Sequence, residues 1–305
     1  MTKRNIFKTA KFSFIVLFAT LLFSSCGSTP FTGRRQLLLV SNQEVLALSL
    51  QQYNEFMSTA SVIRGTPEAE MVNRVGSRIA NAVATFYKSK GMESELQGFN
   101  WEFSLVRDPS VNAFAMPGGK IVIFEGLLPV TQTEEALAVV VGHEVAHVIA
   151  HHASERISRQ MALQGVGNIG GALLGSSRGT QIGMTVFGLG AQYSMLPFSR
   201  QQEYEADEIG LIVMALAGYD PRAAVPFWTR MSQNSSGGNV PAFLSTHPTD
   251  ANRIAHIEQI MPHVLEFYRG AGVQNQTPGR INTNVAVPSS NINTSNARTS
   301  SEWTF

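Results

Sequence analysis

His143, Glu144 and His147 stand in the HExxH spacing within Val141-Gly-His-Glu-Val-Ala-His147. On a helix, positions four apart lie one above the other, so both imidazoles can reach one metal ion while Glu144 sits about 100° round the axis. Two imidazoles on zinc, with a carboxylate beside them to handle the proton of a polarised water, make a hydrolytic site. Such a site needs a third protein ligand. His151 continues the i+4 series, but straight helix sets it about 12 Å from His143, too far for donors that must each lie about 2 Å from one ion. His151 and His152 are therefore read as polar surface residues. A histidine six positions past His147, with a glycine between, is another common completion; Ala150 and Ala153 occupy those positions. What remains is a carboxylate from elsewhere, and Arg200-Gln-Gln-Glu203-Tyr-Glu-Ala-Asp207 is the one dense acidic segment. Glu203 and Asp207 share a helical face, so one can bind the ion while the other accepts a hydrogen bond from a ligand imidazole. Helical geometry does not exclude Glu205.

The elements that must position these residues read as α+β: mostly helical, with a small antiparallel sheet beside the motif helix. Ser41 with Glu44 is a capping box that opens a helix to about Met57. A second amphipathic helix is predicted over Pro67 to Lys90, with Met71, Val72, Val75, Ile79, Val83 and Phe86 on its apolar face. From Trp101 the period changes to two. Trp101–Val106, Asn112–Met116 and Lys120–Phe124 read as strands separated by Asp108-Pro109-Ser110 and Pro117-Gly118-Gly119. The motif helix is predicted from about Thr131 to about Ser158, apolar enough to be buried. Residues 165–190 are Gly-rich and apolar with Arg178 at their centre, which suits a hairpin or lid better than a membrane span. Further helices are expected from Ser199 to Gly218, from Tyr219 to about Met231 and from Thr249 to about Ile260. From 270 to 305 the chain turns to Asn, Thr, Ser and Gly and is predicted to be disordered.

With 305 residues and 44% hydrophobic content, the chain can bury a full-sized core. A net charge of +1 without a basic face excludes nucleic acid as the main partner. Lys3, Arg4, Lys8 and Lys11 precede an apolar run from Phe12 to Phe23, then small residues and the sole cysteine, Cys26. That pattern predicts a removable signal over 1–25, of lipoprotein type, with Cys26 acylated and residues 26–40 forming a lipid-anchored tether to a metallopeptidase domain at 41–268.

Five stretches in order resemble the HtpX-like gluzincin metallopeptidases, a family that includes the CaaX prenyl proteases. They are Gly33-Arg-Arg-Gln-Leu, Asn112-Ala-Phe-Ala-Met-Pro-Gly-Gly, His143-Glu-Val-Ala-His147, Glu203-Tyr-Glu-Ala-Asp207 with Gly210, and His247-Pro with Arg253. Within the family the chain is most similar to the periplasmic lipoprotein branch typified by BepA and LoiP. The resemblance implies a zincin-type domain holding one Zn2+ per chain through His143, His147 and Glu203, with Asp207 as the hydrogen-bonding support. His247 reads by itself as a turn residue. By resemblance it can take the fourth zinc position and hold the enzyme latent. Arg253, nearby, fits either a supporting salt bridge or an oxyanion contact.

The expected activity is a zinc metalloendopeptidase with Glu144 as general base. Asn112, Ala113, Phe114, Ala115 and Met116 offer an edge on which an extended peptide can add as a strand, which reads little sequence. Unfolded or misassembled polypeptides are then the expected substrates and an envelope assembly machinery a possible partner. The expected location is the bacterial cell envelope, facing the periplasm; Gly27 gives no inner-membrane retention signal, which favours the outer membrane. One alternative is a chaperone-like membrane-surface module whose zinc is structural or permanently capped, although structural zinc sites favour cysteine ligands. Another is an integral membrane protease spanning through 165–190.

Overall fold

The computed structural model describes residues 26–168, 198–234, 240–248 and 251–270. The predicted signal segment, most of the Gly-rich stretch (169–197) and the tail after Gly270 lie outside the described residues. The first long helix, α1 (Asn42–Thr59), starts with the predicted capping box: the Ser41 hydroxyl accepts from the Glu44 N–H, and the Glu44 carboxylate accepts from the Ser41 N–H. Helix α2 (Pro67–Ser89) has Thr66 as its cap and proline at the first turn. Its apolar face is buried as expected, except that Phe86 is half-buried and stacks on Phe31 at 4.3 Å.

A four-stranded sheet follows the order β3 (Val62–Ile63), β4 (Glu102–Val106), β6 (Lys120–Phe124), β5 (Ala113–Met116). The β5–β6 pairing is antiparallel, as the sequence predicts, and so is that of β4 with the unpredicted β3, but β4 and β6 pair parallel. The loop after Val106 carries the chain one strand-width further than a simple meander, and β6 fills the slot between β4 and β5. The hairpin from β5 into β6 turns on Gly118 (φ 90°) and Gly119 (φ 87°), a region that glycine enters without penalty. All five β6 residues are buried because the sheet is covered on both sides. Ile121 and Ile123 join α2 in the main core, whereas Val122 and Phe124 pack with Tyr53 of α1 on the other face.

After the short α3 (Leu128–Thr131), helix α4 (Glu134–Ile149) begins at the Thr133 cap. Every residue from Ala136 to Ile149 is buried. The predicted single helix to Ser158 is broken. His151 takes a left-handed conformation (φ 55°), which histidine tolerates better than most residues, and α5 (His152–Asn168) leaves at a 49° bend. Helix α6 (Arg200–Leu216) opens with a capping box between Ser199 and Gln202 and packs along α4. A 3-10 turn (Pro221–Ala223) leads into α7 (Ala224–Asn234), followed by α8 (Ala242–Thr246) and α9 (Ala251–Gly270), which runs well past the expected Ile260. Among the described residues, no single helix is long and apolar enough to cross a membrane.

Residues 26–40 are built into the domain and do not trail from it as a tether. β1 (Cys26–Ser28) and β2 (Arg35–Leu37) pair antiparallel, Thr29, Gln36 and Val40 are buried, and the Leu39 N–H donates to the Ser158 hydroxyl at 2.8 Å.

Where α4 meets α6, Gly142 faces Gly210. A Cβ on Gly142 would lie 2.7 Å from the Gly210 carbonyl oxygen, and one on Gly210 would lie 2.8 Å from the His143 nitrogen. Gly210→Ala is expected to destabilise the chain by roughly 1–3 kcal/mol through overpacking, read as a lower urea midpoint. Gly270→Ala, with nothing within 4 Å of its Cβ, serves as the control. Equal midpoints would show that the two helices have room to part.

Candidate metal centre

Helix α4 presents His143 and His147 one turn apart, with their Nε2 atoms 3.0 Å from each other. From α6, the two carboxylate oxygens of Glu203 approach them, each 3.4 Å from one of these nitrogens. His247, at the C-terminal end of α8, places Nδ1 3.2 Å from His143 Nε2 and 3.1 Å from Glu203 Oε1. All four residues are buried, and their donor atoms lie within 4.8 Å of one another. Zinc bonds of about 2.0–2.1 Å in tetrahedral geometry put donors about 3.3 Å apart. The observed spacings scatter about that value, so three imidazoles and a carboxylate fit one zinc ion.

Both α4 imidazoles are held from behind. His143 Nδ1 lies 3.0 Å from Asp207 Oδ1, as the helical spacing to Glu203 suggested. Asp207 in turn accepts from Arg253 Nε and Nη2 at 2.7 and 2.8 Å, and Arg253 Nη1 pairs with Glu203 at 2.6 Å. The guanidinium is fully buried and lies over Trp228 at 3.8 Å. Of the two sequence readings of Arg253, the geometry shows the supporting ion pair.

The support behind His147 was not legible. Its Nδ1 lies 2.8 Å from His152 Nδ1, and His152 Nε2 lies 3.0 Å from Glu205 Oε2. His152 is completely buried, so its reading as a surface residue is corrected: the bend at His151 turns it back against α4. His151 is half-buried and does not join the cluster. Glu205 points towards His152 and away from the four donors. Aromatic walls close the site. Phe198 stacks on His147 at 3.8 Å, and Phe243 stacks on His247 at 4.5 Å.

Electrostatics sort the groups. Burial works to raise the Glu203 and Asp207 carboxyls, but Arg253 and the neighbouring histidines outweigh it and hold both below the usual carboxylate range. Burial pushes His147 well down, leaving it neutral. The same burial opposes charge on His143, yet Glu203 and Asp207 lift it to about 9. Glu144 is buried, its Oε1 makes no hydrogen bond among the described residues, and it faces His247 Nε2 at 3.3 Å. Strand β5, which carries Ala113, Phe114, Ala115 and Met116 with Asn112 just before it, forms the sheet edge and packs on α4. The Val111 carbonyl at its entry accepts from the Phe243 N–H of α8 at 3.1 Å.

Zinc must displace the His143 proton. The folded value lies above the ordinary 6.5, so in the metal-free chain the stabilisation from this cation is complete below about 6.5 and is lost as pH rises through about 9. Zinc loading at pH 7 is expected to release close to one proton, with affinity rising up to about pH 9. Calorimetry in buffers of different ionisation heat measures it, and no release would show a neutral His143.

Residues 68–261 match the family described as peptidase family M48. The chain is 35% identical over 241 residues to mitochondrial metalloendopeptidase OMA1 of Schizosaccharomyces pombe, covering 79% of this chain and 68% of the relative. It is 30% identical to OMA1 of Saccharomyces cerevisiae over 267 residues, 82% and 76% of the respective lengths. The beta-barrel assembly-enhancing protease of Escherichia coli is 30% identical over 226 residues, 70% of this chain and 43% of that protein.

Proposed function

This chain belongs to peptidase family M48, a family of zinc metallopeptidases, and on that premise we propose that it cleaves unfolded or misassembled polypeptides at the cluster on α4, α6 and α8. His143, His147 and Glu203 would hold the zinc. The observation that carries the reading is a buried cluster able to hold a metal ion, with His143, His147 and Glu203 in it and the buried carboxylate of Glu144 next to it, facing His247. Bound zinc supplies Lewis acidity, lowering the pKa of water towards neutrality and polarising the scissile carbonyl. Glu144 takes the water proton and delivers it to the leaving amine. Asp207 and Arg253 keep His143 and Glu203 in place. The β5 edge receives an extended substrate by strand addition, so backbone pairing outweighs side-chain selection.

His247 is assigned a regulatory role. Its Nδ1 sits among the ligands while Nε2 faces Glu144, so one side chain occupies the fourth position and engages the base at once. That arrangement describes a latent enzyme. We place the chain at a bacterial envelope, anchored through Cys26 and facing the periplasm, in protein quality control. The leader pattern of the sequence supports the anchor, and the name of the E. coli relative supports the setting; the OMA1 relatives are named as mitochondrial.

Casein cleavage by the purified chain, with and without a chelator, tests the activity. Glu144→Gln is expected to keep one zinc and the fold while lowering turnover about 10²–10⁴-fold. Undiminished cleavage by this variant would remove Glu144 from the role. Zinc-containing protein that binds casein without cutting it would favour a binding module. His247→Ala is expected to keep zinc and to raise basal turnover. A variant as slow as the parent would show that His247 is no plug.

A further inference from the structure

The stretch Gly33-Arg-Arg-Gln-Leu has no place in the chemistry just described, yet the segment containing it reaches the metal centre. Thr29 donates to Glu205 Oε1 at 2.6 Å, and Thr32 donates to the same oxygen. Arg34 Nε donates to Glu205 Oε2 at 2.5 Å, and the same oxygen faces His152 Nε2 at 3.0 Å. The carboxylate of Glu205 is thereby saturated, with two partners on each oxygen. Arg34 does more than contact α6. Its Nη1 and Nη2 atoms donate to Glu155 of α5 at 2.9 and 2.7 Å, so one guanidinium joins α6 to the helix that His152 begins. Gly33, between these residues, takes φ 67°, the turn that returns the chain from β1 to β2.

The hydrogen-bond directions then follow by necessity. A carboxylate saturated in this way only accepts, so His152 Nε2 must carry its proton and donate. A neutral imidazole has one donor and one acceptor, so His152 Nδ1 must accept, and His147 Nδ1–H must donate to it. That leaves the lone pair of His147 on Nε2, the nitrogen that faces His143 and Glu203.

We propose that the segment Thr29–Arg34 is a positioning element of the zinc centre: by fixing Glu205 it sets the tautomer of His152, and His152 makes Nε2 of His147 a metal donor. None of its residues touches the reacting atoms. The inference rests on the reading of His147 as a ligand and adds a regulatory consequence to it, because lifting the N-terminal hairpin off α5 and α6 releases the chain of bonds that orients this ligand.

The test uses the full chain with Glu205→Gln, Arg34→Ala and the near-isosteric Thr29→Val, and Arg159→Ala as control. Arg159 also pairs with Glu155 but has no bond to Glu205. Zinc dissociation constants from chelator competition are expected to rise on the order of 10–100-fold for Glu205→Gln and Arg34→Ala, and less for Thr29→Val, with Arg159→Ala at the parental value. A second readout needs no metal. Nitrogen-15 spectra of the histidine rings in the metal-free chain are expected to show the His147 proton on Nδ1 in the parent and a mixture of tautomers in Glu205→Gln. Should Arg34→Ala fail to fold, Glu205→Gln and Thr29→Val decide the matter. Parental zinc affinity together with an unchanged His147 tautomer in Glu205→Gln overturns the proposal. A parent that binds no zinc while its His147 tautomer still follows Glu205 overturns the zinc reading and leaves the bonded chain standing.

Discussion

Two backbones meet without side chains between them where α4 crosses α6, and the metal centre is a consequence of that approach. Gly142 immediately precedes His143, and Gly210 lies less than one turn beyond Asp207. Any Cβ at either position would drive the helices apart at the level of the ligands. Because both helices are otherwise rigid and capped at Thr133 and Ser199, fixing one crossing point fixes the register between them. Glu203 then reaches both imidazoles, and Asp207 reaches the far nitrogen of one. A site built on two packed helices holds its donors to tolerances that loops do not give.

The approach brings charges into the buried interior of the domain. Glu203 and Asp207 pair with the Arg253 guanidinium, a second buried guanidinium, Arg156, acts on Glu203 and Glu144 through space, and His147 is neutral. In the metal-free chain a proton on His143 offsets part of the charge on Glu203 and Asp207. Arg253 is therefore better understood as a device for tolerating Glu203 and Asp207 than as a source of net stability, since a buried ion pair mostly repays its own desolvation. Its stacking on Trp228 and its bonds to two residues of α6 leave it no other geometry.

What could be read in advance was what depends on short-range periodicity. The HExxH pair and the shared face of Glu203 and Asp207 follow from 3.6 residues per turn, although choosing Glu203 over Glu205 took a family resemblance. The capping box at Ser41 marked one helix start, and the helix at Ser199 was placed within a residue. The break after Ala150 carries no glycine or proline, so the bend and the burial of His152 were invisible. The contact between Arg34 and Glu205 spans 171 positions in sequence and has no local signature. The parallel pairing of β4 with β6 was hidden for a related reason: a strand buried on both faces reads as a plain apolar run, which is silent about its neighbours.

The position of His247 depends on the short turn that carries it. Helix α8 is a single turn, and hydrogen bonds from Phe198, Phe243 and Arg253 tie its surroundings to the rest of the domain. The Phe198 N–H donates to the Thr246 carbonyl, the Phe243 N–H to the Val111 carbonyl, and Arg253 to the Pro248 carbonyl. At about 0.5–1.5 kcal/mol net each, these three amount to roughly 1.5–4.5 kcal/mol against withdrawal of the turn, with the stacking of Phe198 and Phe243 added. Moving a two-state equilibrium from almost closed to almost open takes about 5.5 kcal/mol of differential binding. Were His247 the proposed plug, a closed arrangement of this depth would hold basal cleavage low and could still be reversed by binding at a neighbouring surface. One of the three bonds begins at the entry to the β5 edge, so the strand assigned to substrate and the turn assigned to latency share a mechanical link.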